Sequence, residues 1–101
     1  MAQLTAADRL AKVKVAIYGT SAQNFNDEQL EFYIDEIVDE LVDAGVAREI
    51  AESKAAVGCI AIGVNDIWNY SSGGVRHSEQ FNNRLIQLSL KKVAADNVQT
   101  D

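Results

Sequence analysis

Proline is absent from this chain of 101 residues, and cysteine, histidine and tryptophan each occur once. Without proline nothing breaks a helix by ring geometry, so punctuation falls to the six glycines. The lone Cys59 excludes an intrachain disulfide and fits a reducing compartment or a buried thiol. With Cys59 and His77 as the whole Cys/His complement, no zinc spacing and no Glu-x-x-His pair exists, so neither a metal nor a cofactor is expected. Cations are scarce: nine Lys and Arg stand against fifteen acids, for a formal charge of −6. General affinity for DNA, RNA or an anionic membrane needs the opposite balance, because such binding works by displacing counterions with Lys and Arg. Long apolar runs are missing too. None approaches the roughly 18 residues of a membrane span, and MAQLTAADRLAKVK reaches charge before any signal-peptide core could form. A protein made and kept in the cytoplasm, with no membrane partner, is the expectation.

What the sequence does contain is helical periodicity. The fold class it predicts is all-α, one domain over 1–101. The architecture is a compact bundle of about four helices with a long apolar central helix, a flexible loop before the last helix, and a mobile tail over 95–101. The first helix starts at Thr5 as N-cap with Asp8 in its first turn, buries Leu10, Val13 and Ile17, and stops at Gly19. The second has the firmest signals. Asn26 and Gln29 form a capping box, Phe25 is placed to staple on Leu30, and Leu30, Ile34, Ile37 and Leu41 make the buried stripe. Gly45 then supplies a left-handed stop that turns Val46 back onto Leu41. The third runs from about Ala47 to Tyr70, apolar nearly all round through AAVGCIAIGV. Its Gly58 and Gly63 each cost roughly 1 kcal/mol relative to alanine, so a close approach by neighbouring helices must compensate. Ser78 caps the fourth, whose apolar face is Phe81, Leu85 and Leu88 with Ile86, Leu90 and Val93.

Chemistry-bearing groups are few. Cys59 and His77 could in principle form a nucleophilic pair, but a thiol inside GCIAIG is expected to be buried and inert, filling core space. Gly73 and Gly74 in YSSGGVRHS fit neither GxxxxGK[ST] nor GxGxxG and follow a helix instead of a strand, so no phosphate site is expected there. They read either as an ordinary loop or as a two-glycine hinge that presents Val75, Arg76 and His77 as a docking finger. Trp68 and Tyr70 close the central helix or anchor an interface. Eight of the fifteen acids lie between Asp27 and Asp43, including Glu31, Asp35 and Asp39. They read as a solvated face or as an electrostatic docking surface. Lys91 and Lys92 complement the dipole of the last helix. No catalytic constellation emerges, and the chain is read as a non-enzyme that docks to other proteins.

One arrangement is familiar. The run AAVGCIAIGVNDIWNY, a glycine loop, and a serine-capped SEQFNNRLIQLSL resemble the head-tail connector proteins of tailed bacteriophages, also called head completion or neck adaptor proteins. The resemblance covers roughly residues 5 to 93 and is sharpest at Val64, Asp66, Ile67, Trp68, Ser78, Phe81, Gln87 and Leu88. It implies a structural virion protein: a homo-oligomeric ring, dodecameric in the family, seated under the portal protein. Such a ring extends the DNA channel and docks the next neck or tail-completion protein. DNA would be only a non-specific passenger. The implied location is the virion neck at the head-tail junction, with the host cytoplasm during assembly. The interface residues expected on this reading are Glu31, Asp35, Asp39, Trp68, Tyr70, Gly73, Gly74, Val75, Arg76, His77, Lys91 and Lys92. The alternative from another class is an acidic regulatory protein, a nucleic-acid mimic that binds a basic partner. The cations Arg9, Lys12, Lys14 and Arg84, interspersed on the flanking helices, favour the connector over it.

Overall fold

A computed structural model describes residues 3–71, 73, 74 and 77–91. Within them lie α1 (Ala6–Ala16), a 3₁₀ turn (Ser21–Asn24), α2 (Asp27–Asp43), the short α3 (Arg48–Ala51), a second 3₁₀ turn (Lys54–Ala56), α4 (Val57–Ser71) and α5 (Glu79–Ser89). Among the described residues there is no strand, only an isolated antiparallel bridge between Gln3 and Ser53. The all-α class and the compact packing are as expected. Val75, Arg76, Lys92, Val93 and the tail over 95–101 lie outside the described residues.

The helix starts follow local chemistry. Thr5 Oγ1 accepts from the Asp8 amide at 3.0 Å and Ser78 Oγ from the Phe81 amide at 3.1 Å. At α2 the capping box is complete: Asn26 Oδ1 accepts from the Gln29 amide at 2.8 Å and Gln29 Oε1 from the Asn26 amide at 3.0 Å. Each bond satisfies a first-turn amide that has no partner inside its own helix. The far end of α2 is as well specified. Gly45 adopts φ 108°, and the amides of Gly45 and Val46 donate to the Val42 and Leu41 carbonyls at 3.0 and 2.9 Å. These are the paired bonds of a Schellman stop, and they turn the buried Val46 back over Leu41.

The long central helix expected from Ala47 to Tyr70 is not formed as one piece. It is interrupted after Ala51, and the apolar helix proper begins at Val57. Ser53 is the cause. Its hydroxyl donates to the Ile50 carbonyl at 2.8 Å and accepts from the Ala55 amide at 3.2 Å, offering the backbone a local alternative to the helical ladder. The neighbouring Glu52 carbonyl is taken by the Leu4 amide at 3.2 Å. The first helix also ends early, at Ala16 instead of Gly19. Past that point Thr20 Oγ1 takes the Ile17 carbonyl at 2.6 Å and Gln23 Oε1 takes the Gly19 amide at 3.1 Å.

α1, α2 and α5 pack around α4. Val13, Ile17, Leu30, Ile34, Ile37 and Leu41 meet Ile60, Val64, Ile67, Phe81 and Leu88 in one buried cluster. At Gly63 the neighbours approach α4 closely: a Cβ built there would lie 2.8 Å from both Ile37 Cδ1 and Phe81 Cε1. Ile86 and Leu90, expected on the apolar face of the last helix, instead stand 55% and 75% exposed.

Candidate interaction surface

Of the residues quoted for the connector resemblance, Asp66 and Ser78 join α4 to α5, while Gln87 is exposed near the far end of α5. Asp66, 7% exposed, accepts from the Ser78 amide through Oδ2 at 2.9 Å, a carboxylate at the start of α5 where the helix dipole favours negative charge. Val64, Ile67, Phe81 and Leu88 are buried in the common core. Trp68 meets Phe25 edge-on, ring centroids 5.0 Å apart, and Phe25 in turn lies 5.0 Å from Tyr33. Trp68 thus closes the core over the entry to α2, while Tyr70 two residues on is 55% exposed.

Gly73 and Gly74 stop a helix. Their amides donate to the Tyr70 and Asn69 carbonyls at 3.0 and 2.8 Å, a second Schellman stop with Gly73 at φ 100°. A Cβ on Gly74 would sit 2.9 Å from the Asn69 carbonyl oxygen, so both positions require glycine for the backbone's sake. The His77 ring stacks on Phe81 with centroids 4.6 Å apart, and its Nε2 lies 3.0 Å from Glu40 Oε1. It faces a groove of about 320 Å³ between the end of α2 and α5. The Cys59 sulfur sits 3.9 Å from the Phe81 carbonyl oxygen. Burial foremost pushes its thiol up to about 11, against an opposing pull from Arg84, with Asp66 adding a smaller push upward. It is therefore protonated and unreactive near neutrality.

The acids of α2 divide into two groups. Asp27 pairs with Lys14 at 2.9 Å and Asp39 with Arg48 at 3.2 Å, Arg48 also reaching Glu52 at 3.1 Å. Those hydrogen bonds, Asp39 foremost, raise the Arg48 pKa. These are exposed pairs of small energetic weight. Glu28, Glu31 and Asp35 are exposed and carry no ion pair among the described residues. Glu31 and Asp35 border a cleft of about 190 Å³ beside Arg9. Arg9 is 7% exposed, donates to the Leu4 carbonyl at 3.2 Å and has a buried Nε with no partner. Lys91 is exposed just past α5, where a cation complements the dipole.

The expected interface residues do not converge on one spot. His77 and Glu40 join α2 to α5, Tyr70 and the glycines lie at the end of α4, and Glu31 with Asp35 face outward from α2. Missed in the sequence were Val15, Tyr18 and Phe32, which are 78%, 82% and 63% exposed. A signal for Phe32 did exist, since it falls off the Leu30–Ile34–Ile37–Leu41 stripe and onto the acidic side of the same helix. Among the described residues no three His, Cys, Asp or Glu side chains gather as a metal-binding group, and no helix is long and apolar enough to cross a membrane. Compared with protein-family models, with curated proteins and with solved structures, the chain matches none.

Proposed function

We propose that the chain is a head-tail connector subunit of a tailed bacteriophage. It would assemble as a ring beneath the portal protein, extend the DNA channel, and dock the next neck or tail component. One observation carries the reading that docking is the function. Six large apolar side chains, Val15, Tyr18, Phe32, Tyr70, Ile86 and Leu90, stand 55% to 82% exposed on a bundle whose interior is otherwise closed. They lie on several helices, and each is a side chain that contact with another chain would cover. The connector assignment itself rests on the resemblance through NDIWNY and SEQF. Its support is that these segments meet in space, through Asp66 and Ser78, to set the angle between α4 and α5. The acidic-mimic reading has less to stand on, because Asp27 and Asp39 are paired with Lys14 and Arg48, which shortens the array a basic groove could meet.

Light scattering on the purified chain, alone and mixed with the portal and tail-completion proteins encoded beside it, tests the proposal. A ring, or a stoichiometric complex with the portal, is expected. A monomer that ignores both but binds a basic protein would replace the connector with the mimic.

A further inference from the structure

α1 and α5 flank α4 without closing over it, and the cleft between them holds about 290 Å³. Its floor is made of small residues of α4, Gly58 and Ala61, with Ala16 of α1 beside them. On one wall Arg84 reaches over Gly58, close enough that a Cβ there would lie 2.9 Å from Nη1. Asp66 also lines the cleft, but it is 7% exposed and its Oδ2 is taken by the Ser78 amide, whereas Arg84 is exposed and has no ion pair among the described residues. At the bottom the Asn65 Oδ1 is buried without a hydrogen-bond partner, and an amide can rotate to present either an acceptor or a donor to whatever enters. A second depression of about 310 Å³ shares Ile62, Gln80 and Arg84 with the first and extends it along α5. An unsatisfied amide, an unpaired cation and a floor of small residues are the marks of a surface built for an occupant.

The chain itself carries the complement, on its far side. Gly58, Ala61 and Asn65 lie on one face of α4. Ile60, Gly63 and Ile67 lie half a turn away, and Gly63 is the residue that meets Ile37 of α2. α2 therefore covers the side of α4 opposite the cleft, and its own outer face points further away still. On that face Glu28, Phe32 and Asp35 follow at helical spacing as one stripe: two exposed carboxylates around an aromatic ring that is 63% exposed. Neither surface can reach the other within one molecule.

We propose that the α2 stripe of one copy docks in the α1–α4–α5 cleft of the next, with Glu28 and Asp35 meeting Arg84 and Phe32 covering the small-residue floor. This deepens the ring reading and rests on it. Because the two surfaces differ and lie on opposite sides, the contact is head-to-tail, the kind that closes into a ring when the rotation permits. Charge complementarity selects the register, and the aromatic side chain supplies the anchor.

The test is a charge swap read by sedimentation velocity over a concentration series, with and without the portal protein. Arg84→Glu and the double variant Glu28→Lys/Asp35→Lys alter exposed side chains, and circular dichroism verifies that both keep the native helix content. Each variant alone is expected to raise the self-association constant for dissociation at least about a hundredfold, since like charges now face each other. An equimolar mixture of the two is expected to reassociate, since each supplies the charge that the other lacks. If the wild type assembles and both variants assemble equally well, the contact lies elsewhere: the inference falls while the ring reading stands. A wild type that stays monomeric both alone and on the portal overturns the two together.

Discussion

Gly58 and Gly63 occupy the same helix five residues apart, yet alanine should act on them with opposite sign. Alanine is favoured over glycine by about 0.8–1.0 kcal/mol in a helix interior, a term that applies in full at Gly63 and only in part at Gly58, the second residue of α4, so the intrinsic term favours both substitutions. At Gly63 the new methyl would meet Ile37 Cδ1 and Phe81 Cε1 at 2.8 Å and Ile37 Cγ1 at 3.2 Å. Ordinary carbon contacts lie at about 3.5–4.0 Å, and both neighbours are buried core side chains, Ile37 fully and Phe81 at 1% exposure. Overpacking of this kind costs about 1–3 kcal/mol, which outweighs the helix term. Gly63→Ala should therefore lose about 1 kcal/mol net, lowering the thermal midpoint by about 4–8 °C for a domain of this size. At Gly58 the methyl meets Arg84 Nη1 at 2.9 Å, but that atom is the far end of a flexible side chain, with Cζ already back at 3.9 Å. Arg84 can swing aside, so Gly58→Ala should keep about 0.5 kcal/mol of the helix gain. Thermal and urea unfolding followed by circular dichroism, at concentrations low enough to hold the monomer, give both signs. If Gly63→Ala is as stable as Gly58→Ala, then α2 and α5 do not approach α4 as closely as described, and the packing account of this helix is wrong.

Other substitutions probe the remaining links. Ser53→Ala removes a buried hydroxyl that both donates and accepts, and should cost about 1–2 kcal/mol by urea titration; an unchanged midpoint would mean that the interruption before α4 does not depend on it. Asp66→Ala deletes the carboxylate bound to the Ser78 amide and should cost about 1.5–3 kcal/mol, with hydrogen exchange accelerating at the start of α5; exchange that speeds up evenly along the chain would count against a specific joint. Cys59 should react with thiol reagents only as fast as the protein unfolds, and rapid labelling under native conditions would refute its burial. Its thiol titrates near 11 folded, against 9.0 for the free group. The folded chain thus holds that proton more tightly, and the contribution to stability is full below pH 9 and lost as pH rises through 11. Wild type should accordingly lose more stability than Cys59→Ala across that window, and parallel pH profiles would contradict the raised value.

The elements legible in the sequence were those whose chemistry is local. Asn26 with Gln29, Gly45 with Val46, Thr5 and Ser78 each specify a helix end through partners no more than about five residues away, which pattern reasoning can see. The interruption at Ser53 was not legible. A serine in REIAESKAAVG is compatible with a continuing helix, and part of what stabilises the break comes from Gln3 and Leu4, some fifty residues earlier in the chain. The glycine pair before the last helix was visible as punctuation, but its role as a helix stop depends on backbone geometry that residue types alone do not reveal. For the candidate surface, the acidic side of α2 followed from periodicity. The cleft at Arg84 did not, because it exists only where three helices leave a seam, and no stretch of sequence contains it.

The contrast between α2 and α4 bears on how the chain is made. α2 has its own start and stop written within a few residues, so it can begin to form as soon as it leaves the ribosome. α4 is the most apolar helix and relies on neighbours to cover it, and Phe81, which seals it beside Gly63, belongs to the helix synthesised after it. For the interval between the two, the stickiest stretch of the chain is without its cover, and a nascent chain in that condition is prone to aggregate or to engage a chaperone. Truncation before α5 would make that interval permanent.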